Sequence, residues 1–552
     1  MSVTTCQNSS SSSQRDPRRH NIDDEPLPKH QHDENRPLVS QEPNNDPPSC
    51  PESGPIIRQF SARHGFVLLV SIQIGSGIFS SPAQIDGNVA SPGAALLSWI
   101  ASGLLAWTGA TSIAELGAAL PRNGGMQEYL QYIYGDMAAF LMAWIWIVVT
   151  KPASMAILSI LLVESIESAI VDPTASKSPP AGLSQGLFAV LALIVVVLLN
   201  SISSKMSTRL GEGFVVMKLA TVTLIVVGGV AVVLGHVISP DKAQWGGREW
   251  HERNWFQPRK SMSGGQPVDW PRLSMWESLG HYSAAIYAGL WAYSGWDNAN
   301  FIAGEMRNPG RDLPIAIHTS MTVVMLCFEL ANASYYVLLP WEAVGSSNAV
   351  AVTAARSLLG FPAAAGIAIL VAISCAGSIS ANVFVTARLT VAASQRGYLP
   401  KLFSEVGLLD NGYVRIPHDG NSERTGGSSG DEGDSTNEEP ETAKERWNIP
   451  INAMLLNFLL TTTYILTGSF RTLLTFVGMA EYTFFFLTVV GLLILRFREP
   501  ELRRPYKPII AVPVVFCLVS AAVLFRTAVF VPLQAVILVL LFVGGIVVHR
   551  CR

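Results

Sequence analysis

From about Gly65 onward the chain is a succession of apolar runs, each long enough to cross the roughly 30 Å hydrocarbon core of a bilayer as a helix. The approximate spans are 65–86, 93–120, 137–163, 185–201, 212–238, 284–304, 314–339, 361–391, 450–468, 472–495, 509–528 and 531–548. Within lipid every backbone polar group must be satisfied by the protein itself, which helices and closed barrels alone achieve. The runs are continuous rather than alternating, so a barrel is not expected. The sequence therefore predicts an all-α polytopic membrane protein with about 12 transmembrane helices.

Composition agrees. Only 14% of residues are charged, against about 25% in soluble chains. The net charge of −3, with no basic run interleaved with aromatics, argues against a nucleic-acid partner. Cys6, Cys50, Cys327, Cys375, Cys517 and Cys551 are far apart and form no CxxC pair, so neither a disulfide scaffold nor a zinc site is expected. No GxSxG elbow between a strand and a helix, HExxH, Walker lysine loop or GxGxxG after a strand is found, which points away from an enzyme. No metal or cofactor is expected.

Residues 1–55 are rich in Pro, Asn, Asp and Ser and read as a disordered tail. No apolar run precedes Gly65, so the first span is expected to direct its own insertion. The remainder, 56–552, reads as one transporter-sized membrane domain with two long insertions. The loop 239–283 holds Trp245, Trp250, Trp255, Trp270 and Trp276 and suggests an ordered cap. The acidic insert 409–446, with Gly426 and Gly427 near its centre, reads as disordered. With the N-terminus in the cytoplasm, seventeen Lys and Arg residues fall in the short inner segments and four in the short outer ones. That bias places both termini inside and the loop 239–283 outside. A plasma-membrane location is expected, with the vacuolar membrane as the alternative.

The first span is interrupted at its middle by Ile74-Gly75-Ser76-Gly77-Ile78, with Pro82 shortly after. Glycines there free backbone groups to meet a polar solute, and such backbone is tolerated at that depth only where it faces protein or a watery cavity. The sixth span carries a second interruption, Trp291-Ala292-Tyr293-Ser294-Gly295-Trp296-Asp297. Broken helices at the first position of two successive groups of five are the pattern of inverted repeats with a central site. They divide the domain into repeat 1 (about 60–238) and repeat 2 (about 284–495), followed by two peripheral helices (about 509–548). The N-terminal end of a half-helix favours a carboxylate and the C-terminal end an ammonium, so a zwitterionic amino acid suits both.

These interruptions, with Glu115-Leu116-Gly117, Pro121-Arg122-Asn123-Gly124-Gly125, Lys151-Pro152, Asn308-Pro309, Leu313-Pro314 and Arg503-Arg504-Pro505-Tyr506-Lys507-Pro508, resemble the L-type amino acid transporter family of the amino acid, polyamine and organocation superfamily, in its fungal methionine-permease-like branch. The resemblance implies a sodium-independent permease using alternating access. It implies that Gly75, Ser76 and Gly77 receive the substrate carboxylate, that carbonyls near Ile74 and from Trp291 through Ala292 and Tyr293 to Ser294 receive the ammonium, and that Trp291 gates the site. By the same analogy Lys218, in the fifth span, stands where related transporters hold a sodium ion between helices one and eight. Animal relatives are joined to a glycoprotein through a cysteine in the loop here numbered about 164–184; that loop has no cysteine, so a covalent heavy subunit is not expected.

Neutral substrates such as methionine or other large neutral amino acids are expected, since Trp291, Ile74 and Ile78 make apolar surroundings. Asp297 keeps a basic amino acid or a polyamine as the alternative. Lys151 and Glu481 are further charges within spans; Lys151 is a candidate partner of Asp297 or Glu329, and Glu481 a candidate for proton coupling. Protons or a counter-transported amino acid are the coupling partners to consider. A non-transporting amino acid receptor is the alternative from another functional class.

Overall fold

A computed structural model describes residues 60–75, 77–170, 183–201, 204–239, 246–263, 266–347, 349–404, 450–467, 470–530 and 532–552. The tail 1–55, the insert 409–446, Ser76 and most of the 164–184 loop lie outside the described residues. Among the described residues eight helices are long and apolar enough to cross a membrane, or nine if a bent first pair is counted as one span. Ser184–Asn200 and Ile451–Thr467 are apolar but shorter.

The bent pair is α1 (Ala62–Gln73) and α2 (Gly77–Asp86), which meet at 47°. Then come α3 (Pro92–Ala119), α4 (Met126–Tyr134), α5 (Asp136–Ile145), α6 (Lys151–Ile170), α7 (Leu183–Asn200), α8 (Ser204–Ile238) and the short α9 (Glu249–Glu252). The second half holds α10 (Met275–Ala292), α11 (Pro309–Leu338), α12 (Trp341–Ser346), α13 (Val350–Leu359), α14 (Phe361–Gln395), α15 (Ile451–Thr467), α16 (Phe470–Arg498), α17 (Ala511–Phe530) and α18 (Pro532–Cys551).

Local chemistry sets the boundaries. Ser91 caps α3 by accepting from the Ala94 N–H, with Pro92 as the first helical residue. Ser274 and Glu277 form a reciprocal capping box at the start of α10. That box starts the sixth span at Met275 rather than near 284, and the helix ends at Ala292, where a 3-10 segment (Asn298–Glu305) takes over after a break. The expected apolar span 284–304 is thus two helical pieces.

One departure from an all-helical chain is an antiparallel hairpin in the Trp-rich loop, β1 (Ser261–Ser263) and β2 (Gln266–Val268), with Ser261 opposite Val268. Apolar runs long enough to span are the only signal that reports helices in the bilayer; a three-residue strand pair leaves no trace at that scale.

Small residues let the helices approach. A Cβ on Gly109 of α3 would lie 2.3 Å from the Phe516 ring of α17, so this close contact requires glycine. α6 packs along α14, and α3 along α11. Large apolar side chains such as Leu198, Val216, Leu234, Val539 and Leu540 are exposed on the outside of the bundle, as expected of surfaces that meet lipid rather than water.

Between α5 and α6, Trp146–Thr150 forms a π-helical turn. Pro152 explains it: proline has no N–H to donate and its ring crowds the carbonyl four residues back. That carbonyl, on Val148, accepts instead from the Tyr464 hydroxyl of α15 at 3.2 Å.

Candidate substrate site

The two breaks meet at the centre of the bundle. α1 ends at Gln73, Ile74 leaves helical geometry, and α2 restarts at Gly77. α10 ends at Ala292, and Gly295 has φ +107°, a conformation that favours glycine. The ends touch: a Cβ on Gly77 would lie 2.8 Å from the Ala292 Cα, and one on Gly295 would lie 2.5 Å from Ile72 Cγ2. Glycine at these positions permits the approach of one broken helix to the other.

A cavity opens beside the junction. Gly75, Gly77, Trp291, Ala292, Ser294 and Gly295 line it from the breaks, while Lys151 and Glu481 line it from α6 and α16. Gln73, Ser154, Asn298 and Asn382 complete its polar wall, with Ile157, Leu158 and Val477 as apolar wall.

The remaining expected site residues stand elsewhere. Ile74 and Ile78 are fully buried in the helix packing. Tyr293 turns away to pack its ring against Trp99 and Phe328. Asp297 is buried behind the cavity wall, where it accepts from the Asn298 amide at 3.2 Å. Ser76 is not among the described residues.

The Ile74 carbonyl itself, next to where carbonyls are expected to meet a substrate ammonium, is engaged within the protein. Its oxygen already accepts from Lys218 Nζ at 2.7 Å and from Ser374 Oγ at 3.2 Å, which fills both lone pairs. Lys218 does not reach toward a membrane surface. Its fully buried ammonium also donates to the Ser71 carbonyl at 2.5 Å and to Ser378 Oγ at 2.6 Å. It therefore joins the break of the first span to α14, behind the cavity rather than in it.

Lys151 and Glu481 pair with the second break. Lys151 Nζ donates to Asn298 Oδ1 at 2.6 Å, and to Asn382 Oδ1 at 3.5 Å. The Asn298 amide in turn donates to the Gly295 carbonyl at 2.8 Å. The hydrogen bonds of Lys151 thus go to asparagines, while its charge acts on the buried Asp297 carboxylate, one of the two partners expected from sequence. Glu481 accepts from the Ser294 hydroxyl at 2.8 Å. One positive and one negative side chain are thus bonded to the segment of the second break, at Asn298 and at Ser294.

Sequence reasoning missed Gln73, Ser154, Asn298 and Asn382. Gln73 carried a signal, a polar residue directly before the glycines in an apolar span. Its Oε1 is buried with no protein partner, while its amide contacts Met321 Sδ at 3.4 Å. Ser154 and Asn382 sit in uninterrupted helices and had no local signal. Among the described residues no three His, Cys, Asp or Glu side chains gather as for a metal ion.

At the far end of the bundle from the Trp-rich loop, buried and half-buried ion pairs join segments distant in sequence. Glu115 of α3 bonds Arg496 and, at 3.3 Å, Arg504. Glu305 bonds Arg388 at 3.1 Å and accepts from Asn123 at 3.1 Å. Glu128 bonds Arg396.

A family model described as amino acid permease matches residues 60–547. The chain is 28% identical to the Homo sapiens b(0,+)-type amino acid transporter 1 over 470 residues, 85% of this chain and 82% of that protein. It is 28% identical to the Homo sapiens cystine/glutamate transporter over 473 residues, 86% of this chain and 80% of that one. Against the large neutral amino acids transporter small subunit 2 of Oryctolagus cuniculus the identity is 28% over 457 residues, 83% and 73% of the two chains. A family match running through both breaks and every helix that lines the cavity leaves one conclusion: the chain belongs to the amino acid permease family, a multi-pass membrane transporter of amino acids and not an enzyme.

Proposed function

We propose that this permease carries neutral L-amino acids, methionine and other large neutral ones first, through alternating access of two inverted five-helix repeats with two peripheral helices, twelve spans in all. The observation that carries the reading is the junction of two broken helices beside a cavity that holds one lysine and one glutamate. The N-terminus of α2 offers free N–H groups to the substrate carboxylate, and the carbonyl end of α10 together with Gln73 Oε1 receives the ammonium. Lys151 and Glu481 cancel in charge, so the remainder of the cavity favours a side chain without net charge. Trp291 closes the site.

Sodium independence is supported by Lys218, whose ammonium already sits among the oxygens of Ser71, Ile74 and Ser378. Relatives of equal identity are named for large neutral amino acids and for cystine and glutamate, so the cavity rather than the similarity carries the substrate assignment. We place the chain in the fungal methionine-permease-like branch, at the plasma membrane, with both termini cytoplasmic and the Trp-rich loop outside, working without a covalent heavy subunit.

The test is uptake of labelled methionine into proteoliposomes with a panel of unlabelled competitors, with choline replacing sodium, and with and without a proton gradient. Competition by leucine and methionine, unchanged in choline, is the expected result. Glu481 in the cavity gives a second reading, a basic amino acid or polyamine substrate; competition by lysine or a polyamine alone would favour it. Binding without accumulation would indicate a receptor instead.

A further inference from the structure

The Trp-rich loop is built onto the same half-helix that forms the site. α2 ends at Asp86, whose carboxylate is buried and accepts from the Tyr336 hydroxyl of α11 at 2.5 Å. Arg259, from the loop, bonds that carboxylate and also donates to the Trp341 carbonyl of α12 at 2.7 Å. The side chains of Arg259 and Asp86 are 9% and 2% exposed, so this ion pair is dry. Gly345 of α12 leaves room for it, since a Cβ there would lie 2.5 Å from Asp86 Oδ2.

Further bonds run from the loop to the turn after α2. The Arg259 N–H donates to the Ala90 carbonyl at 2.9 Å, and the Gly93 N–H to the Trp255 carbonyl at 2.8 Å. Ser261 Oγ donates to the Gly87 carbonyl at 3.2 Å, and Ser263 Oγ to Asn88 Oδ1 at 3.0 Å. His281 also bonds Asn88 Oδ1 at 3.0 Å.

α2 is ten residues long, a rod of about 15 Å. One end is gripped by Arg259 and the other, Gly77, lines the cavity and abuts Ala292. A rod that short moves as a unit, so whatever holds Asp86 against α11 and α12 also sets where Gly77 stands relative to α10.

We propose that Arg259 is a positioning residue of the transport cycle: by bonding Asp86 and the Trp341 carbonyl together it latches the half-helix α2 to α11 and α12, and its release is required for the cavity to open on the loop side. The inference rests on the alternating-access reading above. Removing one partner of a buried ion pair leaves the other uncompensated, so loss of Arg259 tilts the equilibrium toward the unlatched state.

A native thiol reports the motion. Cys375 of α14 is fully buried and lines a second pocket together with Phe79 and Ser80 of α2, Glu164 of α6 and Val352 of α13. Movement of α2 away from α11 and α12 uncovers it. The experiment measures labelling of Cys375 by a membrane-impermeant thiol reagent in proteoliposomes, applied from each side separately, with Cys375→Ser as the background control. Uptake kinetics are measured in parallel.

Arg259→Ala should raise the Cys375 labelling rate about tenfold from the loop side, in the range of ordinary coupling between two sites. It should also lower both KM and the maximal rate. Asp86→Asn, which keeps the Tyr336 contact, should do the same to a smaller degree, and Arg259→Lys should recover part of the wild-type behaviour. A merely structural role would reduce the amount of folded transporter without changing KM or the labelling rate per folded molecule. Unchanged labelling and KM in both Arg259→Ala and Asp86→Asn would overturn the latch. Failure of the wild-type protein to accumulate any amino acid would instead speak against the transport reading, because Cys375 labelling is read without substrate.

Discussion

Lys218 on α8 donates from its buried ammonium to the carbonyl oxygen of Ile74 at 2.7 Å, at the point where the first span stops being helical. The same ammonium reaches the Ser71 carbonyl and Ser378 Oγ, so one cation, together with the Ser374 and Ser378 hydroxyls, supplies partners that the broken backbone has lost. Lys218→Met keeps length and apolar bulk but removes the charged donor, leaving the Ile74 carbonyl with Ser374 Oγ alone and the Ser71 carbonyl with Ser378 Oγ alone. The expected cost is about 3 kcal/mol, seen as a clear drop in melting temperature, with uptake reduced at least about tenfold. Lys218→Arg should not rescue it, because Gly377 and Phe214 crowd the site: a Cβ on Gly377 would lie 3.0 Å from Lys218 Cε. Wild-type melting and uptake in Lys218→Met would remove this role.

The two glycines of the first break differ in what surrounds them, which makes them separable. A Cβ at Gly77 meets the backbone of Ala292 at 2.8 Å, whereas one at Gly75 meets the Ser378 hydroxyl at 2.9 Å. Backbone cannot step aside without moving α10. Gly77→Ala should therefore cost about 1–3 kcal/mol of strain and cut the maximal uptake rate more than Gly75→Ala does. Side-by-side rates normalised to folded protein are the measurement, and equal rates would contradict the packing argument.

Much of this architecture was readable from residue order because the bilayer imposes one length scale. The two glycine-marked breaks and the intramembrane lysines and glutamates stood out against apolar runs for the same reason. What could not be read was which way a polar side chain turns once a helix is placed. Asp297 follows the second break directly, yet it faces Asn298 and leaves the cavity to Glu481, which comes from α16. Ile74 sits within the break, yet its carbonyl is taken by Lys218 and Ser374. Asn382 reaches the cavity only because α14 packs against α6, a contact that no local pattern encodes.

Glu481 and Lys151 give the cavity its charge balance, so a single neutralisation should shift selectivity rather than abolish transport. Glu481→Gln keeps an acceptor for the Ser294 hydroxyl and leaves Lys151 as the one charged side chain lining the cavity. Glutamate should then compete for uptake about tenfold better than against the wild type, and lysine worse, consistent with the attraction of opposite charges in a partly dry site. An unaltered competition profile would mean that Glu481 does not face the substrate.

The ion pairs at the far end of the bundle carry a different expectation, one of stability as well as closure. Glu115 is fully buried and is held by Arg496 and Arg504, both nearly buried themselves. Glu115→Gln retains hydrogen bonding but strands two guanidinium groups away from water, and breaking a buried pair in this way costs about 3–5 kcal/mol. Melting in detergent should fall accordingly. Glu305, by contrast, is partly exposed, and its partner Arg388 also stacks 3.6 Å from the Phe384 ring, which keeps that arginine placed when the carboxylate is lost. Glu305→Gln should therefore melt close to the wild type. Its effect should fall on transport, where weakening the tie between the second break and α14 makes opening on that side easier and raises the exchange rate. A melting loss at Glu305 equal to that at Glu115 would show that burial is not what separates the two pairs.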